Sequence, residues 1–262
     1  MTNVRLFLHG CLLQYRALFN WASPLGYATY KVLVPATQVI FFTQLGIFAT
    51  GRTNSLYFAV GNALQLTAIN GIYGVVMTVG NERRYGTLPF LLASPANRLA
   101  TFLGRALFHI LDGISSVVIS FAIAALLFGL DLGHSNLPLL GGCVLLISAT
   151  TCGLGLMFGS LSLITRDVLT IANVAFYLVM VFCGIDFAVG RLPAWGQVIS
   201  AALPMTRGVQ AAREAVTGAS LHTVAGLLVG EIAVGIVYVA LGYALFRWLE
   251  NRARLGGMQE AY

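Results

Sequence analysis

The feature that most limits this chain is a series of long apolar runs separated by short polar turns. They lie at about 32–50, 57–79, 101–129, 138–161, 168–187 and 222–246. About twenty apolar residues in a helix match the hydrocarbon thickness of a bilayer. Water is absent there, so the backbone must satisfy its own hydrogen bonds, and a helix does so within one segment. Six such runs within 262 residues leave little chain for anything else. The expected fold is therefore an all-α polytopic membrane protein, with one transmembrane domain over 1–262. Charged residues make up 9% and hydrophobic residues 58%. An ordinary soluble domain carries roughly a quarter charged residues, and a disordered chain has low hydrophobicity, so both classes are excluded.

Two segments break the pattern. In residues 3–20, Arg5, His9, Arg16 and Asn20 fall on one narrow helical stripe, and Phe7, Leu8, Cys11, Leu18 and Phe19 fill much of the rest. This predicts an amphipathic helix lying in the membrane interface; the alternative is a helix frayed at its start and packed on the bundle. Residues 188–221 contain Pro193, Trp195, Pro204, Arg207, Arg213 and Glu214, with apolar pieces too short to cross. They predict short helices that dip into the bilayer and return before the last span.

Orientation follows from the basic residues. With a cytoplasmic N-terminus, the inner side collects Arg5, Arg16, Lys31, Arg83, Arg84, Arg98, Arg166, Arg247, Arg252 and Arg254, and the outer side only Arg52, Arg191, Arg207 and Arg213. Cytoplasmic loops carry the excess of Lys and Arg, so both termini of a multi-pass membrane protein are expected inside. The net charge of +6 has the same origin, and no nucleic-acid partner is expected. Lys31, the only lysine, sits at the mouth of the first expected span.

That single lysine also excludes a P-loop, which needs Gly-x-x-x-x-Gly-Lys-Ser/Thr; Leu25-Gly26-Tyr27-Ala28-Thr29-Tyr30 precedes it instead. The four histidines are scattered, the four cysteines show no metal spacing, and no Gly-x-Ser-x-Gly elbow occurs. No catalytic or metal site is expected. Arg105, His109 and Asp112, at i, i+4 and i+7, share one face of the third span. Charges in a bilayer need pairing or water. The three either neutralise one another or face groups on other helices. Glu231 falls mid-way along the sixth span. With Phe41, Asn62, Gln65, Asn173 and Tyr177 it is a candidate for lining a substrate path; polar groups of this kind also serve as hydrogen-bond glue between helices. An intramembrane enzyme would require His109, Asp112 and Glu231 to converge. An ATP-independent channel or membrane scaffold is a further alternative.

The densest motif is the loop at 81–98. It opens with Asn81-Glu82-Arg83-Arg84-Tyr85-Gly86-Thr87-Leu88, continues through Leu91-Leu92-Ala93-Ser94-Pro95, and closes at Arg98. Gly86 permits a tight turn, Thr87 is a candidate helix cap, and the charged head either engages another protein's surface or belongs to a positive-inside loop with no partner. This loop resembles the cytosolic loop of type-2 ABC exporter permeases. The amphipathic start, six spans and Leu203-Pro204-Met205-Thr206-Arg207 with Arg213-Glu214 agree with the resemblance. It implies a half-transporter that pairs with a second permease copy or a related permease in the membrane lipid, above two copies of a separate ABC ATPase subunit. ATP and Mg would be bound by that ATPase, with no cofactor in this chain. Glu82, Arg83, Arg84, Gly86, Thr87, Pro95 and Arg98 would belong to the ATPase-coupling element, and Pro204, Arg213 and Glu214 to an outer gate. The implied cargo is an amphipathic drug, natural product or lipid-linked molecule moved out of the cytoplasm or inner leaflet.

Overall fold

The structure, a computed structural model, describes residues 3–21, 23–87, 90, 98–163, 165 and 167–255. In chain order the helices are α1 (Asn3–Trp21), α2 (Pro24–Thr50), α3 (Ser55–Ala68), α4 (Gly74–Arg84), α5 (Arg98–Phe128), α6 (Leu137–Leu161), α7 (Val168–Phe182), α8 (Ala194–Ala202), α9 (Thr206–Val216) and α10 (Leu221–Leu255). A π-helical turn, Ile69–Tyr73, joins α3 to α4, and 3-10 turns occupy Arg52–Asn54 and Val189–Arg191. No strand occurs among the described residues.

Local chemistry starts several of these helices. Ser23 Oγ accepts the Gly26 N–H at 3.1 Å, with Pro24 in the first helical position. Asn136 Oδ1 accepts the Leu139 N–H at 3.2 Å, and Asp167 Oδ1 the Thr170 N–H at 3.1 Å. Each satisfies a donor that the first turn leaves without a helical acceptor.

Among the described residues, five helices are long and apolar enough to cross a membrane: α2, α3–α4 taken together, α5, α6 and α10. The chain is thus a multi-pass membrane protein. Two boundaries differ from the sequence expectation. The first span begins at Pro24 and not near residue 32, so Lys31 lies buried inside α2, about two turns from its start. The expected span at 168–187 is helical only to Phe182. Its 15 residues reach about 22 Å, less than the roughly 30 Å of hydrocarbon. The chain from 183 to 187 continues in non-helical turns.

The centre of the bundle is α3–α4 and α6. In these, 72% of the most apolar window is buried, against 17% in α10, which lies along α6. Leu64, Leu66, Ile72, Ile147 and Leu154 are fully buried there. Phe48 on α2, Leu126 on α5 and Val229 on α10 face outward, as a lipid-facing surface requires. α1 crosses α5 at very close range. A Cβ on Gly10 would stand 2.6 Å from the Thr101 carbonyl oxygen, and one on Gly104 would overlap the Phe7 carbonyl.

Candidate functional site

Polar side chains gather in three places. The first is the base of the 81–98 loop. α4 ends at Arg84, and the chain turns through Gly86, whose φ is +69°. The Thr87 N–H and hydroxyl both return to the Glu82 carbonyl, at 2.9 and 3.1 Å, and the hydroxyl also reaches Glu82 Oε2 at 2.5 Å. Thr87 therefore closes the end of α4; the helix start it was expected to cap lies outside the described residues. The other carboxylate oxygen, Glu82 Oε1, pairs with Arg105 Nη1 on α5. The Glu82 side chain is 12% exposed, so its charge points into the bundle and not toward an external protein. Tyr85 and Phe90 are exposed at this end. Pro95 and the side chains of Arg83, Arg84 and Arg98 lie outside the described residues.

The second place is the face of α5 that carries Arg105, His109 and Asp112. These residues do not neutralise one another. Each turns to another helix: Arg105 to Glu82 on α4, His109 to Thr78 on α4, and Asp112 to Lys31 and Tyr27 on α2. Lys31 Nζ is 2.7 Å from Asp112 Oδ1, and it also donates to the Asp112 carbonyl at 2.7 Å and Ser116 Oγ at 2.6 Å. Thr78 donates its one hydroxyl proton to the Gly74 carbonyl at 2.7 Å. Its oxygen is left to accept from His109 Nε2 at 3.0 Å, which assigns the ring proton to Nε2.

The third place lies at the opposite end of the bundle, where α7 stops short. Non-helical backbone at membrane depth needs donors from protein. Arg213 on α9 supplies them, through Nη1 to the Gly184 carbonyl at 2.7 Å and Nη2 to the Ile185 carbonyl at 2.8 Å. Nη2 also reaches the Tyr57 carbonyl at 3.2 Å, and the guanidinium sits 3.5 Å over the Tyr57 ring. Asn62 Nδ2 adds a bond to Asp186 Oδ1 at 3.0 Å. Arg213 thus satisfies carbonyls of the non-helical turn that follows the shortened helix. Pro204 is buried and accepts from Cys183 Sγ at 3.2 Å; Glu214 is half-buried, and its carbonyl accepts from Thr217.

The candidate path residues separate into two groups. Phe41 is 62% exposed on α2, beside Ile40, Gln44 and Phe48 in an open groove of about 620 Å³. Tyr177 is exposed on α7, and half-buried Asn173 accepts the Tyr73 hydroxyl at 2.5 Å. Asn62, Gln65 and Glu231, in contrast, have no exposed surface. Asn62 bonds to the Phe58 carbonyl and to Asp186, and Gln65 Oε1 accepts from Gln38 at 2.6 Å. Glu231 Oε1 accepts from Thr150 on α6 at 2.8 Å and from the Met205 N–H at 2.5 Å, and Oε2 accepts the Gly208 N–H at 3.1 Å. In this single chain these three join helices and line no open path.

The same contacts divide the residues an intramembrane enzyme would need. His109 and Asp112 bond to α4 and α2, while Glu231 bonds to α6 and the start of α9. The described residues contain no group of three metal-ligating side chains. Sequence reasoning missed the partners Tyr27, Thr78, Tyr57 and Thr150, which are ordinary residues in apolar surroundings. Lys31 did carry a signal, as a lone lysine beside an apolar run.

Residues 12–217 match the family model described as ABC-2 type transporter. No curated protein matches the chain.

Proposed function

Because the chain belongs to the ABC-2 type transporter family, whose members are membrane components of transporters that work with an ATPase subunit, we propose that it is the permease half of an ATP-driven exporter. Two permease copies, or this chain and a related one, form the pathway. Two copies of a separate ATPase chain bind ATP and Mg and dock on the 81–98 loop from the cytoplasm, where both termini also lie. The assembly sits in a bacterial inner membrane. The cargo is amphipathic and largely apolar: a drug, a natural product or a lipid-linked molecule.

The observation that carries this reading is the join between the 81–98 loop and the bundle. Glu82 holds Thr87 at the mouth of the loop and Arg105 on α5. A push on the loop is therefore delivered to the α5 backbone through an ion pair in a poorly hydrated setting, where such contacts are stiff. The sequence lacks a P-loop, which fits an engine on another chain. The groove beside Phe41, with apolar walls and the amide of Gln44, fits an amphipathic cargo. The exposed apolar face of α7 (Tyr177 and Val181) fits a second copy.

The test is reconstitution. The purified chain is expected to hydrolyse no ATP. Co-expressed with its cognate ATPase, it is expected to form a stable complex that moves cargo only with ATP, and Gly86→Pro is expected to uncouple it. ATP-independent flux through the chain alone would overturn the proposal in favour of a channel.

A further inference from the structure

Glu231 is a carboxylate in the apolar middle of α10, fully buried, and all of its hydrogen bonds go to other elements. Two of its three donors are the N–H groups of Met205 and Gly208, at the N-cap and third position of α9. A helix N-terminus has unsatisfied donors and a partial positive charge. Here the capping carboxylate comes from a different helix. The fit is close: a Cβ on Gly208 would overlap Ile147 and lie 3.5 Å from the Glu231 carboxyl carbon.

Met205 gives a second, independent sign. Its φ is +80°, and it is the only non-glycine residue with positive φ among the described residues. Such a conformation persists where surrounding contacts over-determine it. The Met205 side chain is fully buried, and its N–H is held by Glu231 at 2.5 Å.

The remaining contacts show what this bond controls. α8 and α9 are tied to each other by Thr206 Oγ1 to the Ser200 carbonyl at 2.7 Å and by Arg207 Nη1 to the Ala201 carbonyl at 2.9 Å. The far half of α9 is fixed separately, by Arg213 to Gly184 and Ile185 and by the Asn136 N–H to the Ala215 carbonyl at 2.8 Å. Beneath the hairpin, fully buried Cys183 bonds to the Pro204 carbonyl at 3.2 Å.

We propose that Glu231 is a positioning residue: from α10 it pins the start of α9 and keeps the α8–α9 hairpin seated over the end of α7. Loss of the bonds to Met205 and Gly208 frees the near end of the hairpin to swing about the Arg213 anchor and uncovers Cys183. Within the exporter reading, on which only this consequence rests, the seated hairpin closes the outer end of the pathway. The latch itself requires neither ATP nor cargo.

Cys183 is the reporter. In a chain carrying Cys11→Ala, Cys143→Ala and Cys152→Ala, Cys183 is labelled with a membrane-impermeant maleimide added to intact cells and, separately, to inverted vesicles. Glu231→Gln keeps the side-chain volume, but its amide nitrogen cannot accept the Gly208 N–H. It is expected to raise the Cys183 labelling rate about tenfold, the scale of one lost hydrogen bond to a charged acceptor. Thr150→Val, which removes a neutral donor, is expected to raise it about threefold and carries the test alone if Glu231→Gln does not reach the membrane. A matching chain that retains only Cys152, buried between α5 and α6, is expected to keep its parent rate. Parent-rate labelling of Cys183 in the variants that fold overturns the proposal, as does equal acceleration at Cys152, which marks general loosening. Acceleration seen only in inverted vesicles leaves the latch intact and overturns the outer placement. A chain that shows the accelerated labelling but never associates with an ATPase keeps the latch and loses the exporter reading.

Discussion

Lys31 Nζ stands 2.7 Å from Asp112 Oδ1, and the two side chains are only 9% and 12% exposed. The single lysine of the chain thus fastens α2 to α5 inside the apolar region. Removing one member of a buried pair leaves the other charge poorly compensated, at a cost of about 3–5 kcal/mol. Lys31→Met and Asp112→Leu are each expected to lower stability by about that much. The double variant is expected to recover most of the loss, since apolar replacement of both partners is often close to neutral. Thermal unfolding in nanodiscs measures it; a double variant no better than the singles would show that packing and not charge holds α2 there.

The Glu82–Arg105 pair makes a prediction about coupling. If the two act as one connection, Glu82→Ala and Arg105→Ala should reduce cargo-stimulated ATP turnover to a similar degree. The combined change should add little, with an interaction energy of about 1–3 kcal/mol. Complex assembly with the ATPase should remain, because the Glu82 carboxylate is turned toward Arg105 and Thr87. Additive losses would mean that the two residues serve separate purposes.

The helical class and the existence of the apolar runs were legible because hydropathy reports directly on a bilayer solvent. The family was legible because the 81–98 loop concentrates charge, a turn glycine and two prolines in one place. Side-chain partners were not legible. The i, i+4, i+7 spacing put Arg105, His109 and Asp112 on one face, but spacing within a helix says nothing of which helix that face meets. Glu231 was conspicuous as a mid-span carboxylate. Its role in capping α9 depends on a left-handed Met205 twenty-six positions away, which no local pattern encodes. The early end of α7 was hidden for a related reason: residues 183–187 remain apolar enough to continue a span, and donors from distant positions, the Arg213 guanidinium and the Tyr57 hydroxyl, satisfy the non-helical carbonyls there.

Phe41 separates cargo contact from stability. It is 62% exposed in the groove, so Phe41→Ala should change unfolding by no more than about 0.5 kcal/mol. The cargo concentration giving half-maximal stimulation should rise several-fold, with maximal turnover little changed. Leu64→Ala is the converse control: Leu64 is fully buried, and its truncation should cost about 2–5 kcal/mol without altering the half-maximal concentration. Unchanged cargo dependence in Phe41→Ala would remove the groove from the pathway.

Asp131, in the turn between α5 and α6, offers a pH test outside the membrane. Its Oδ2 lies 2.5 Å from His134 Nδ1, and Oδ1 accepts the Gly133 N–H at 2.8 Å. The His134 bond, followed by the Gly133 N–H, holds the carboxyl below the ordinary aspartate value of 3.8. A depressed folded-state pKa stabilises the folded form above the unfolded value, and that contribution disappears as pH falls through the folded one. The turn should therefore keep its full stability at neutral pH and lose it only as the pH drops below about 3.8. The Asp131 side-chain carboxyl carbon, followed by NMR, should titrate with a midpoint under that value. His134→Ala should move the midpoint upward, and Asp131→Asn should abolish this acid-dependent loosening of the turn. A midpoint at or above 3.8 in the unmodified chain would mean that neither bond survives in solution.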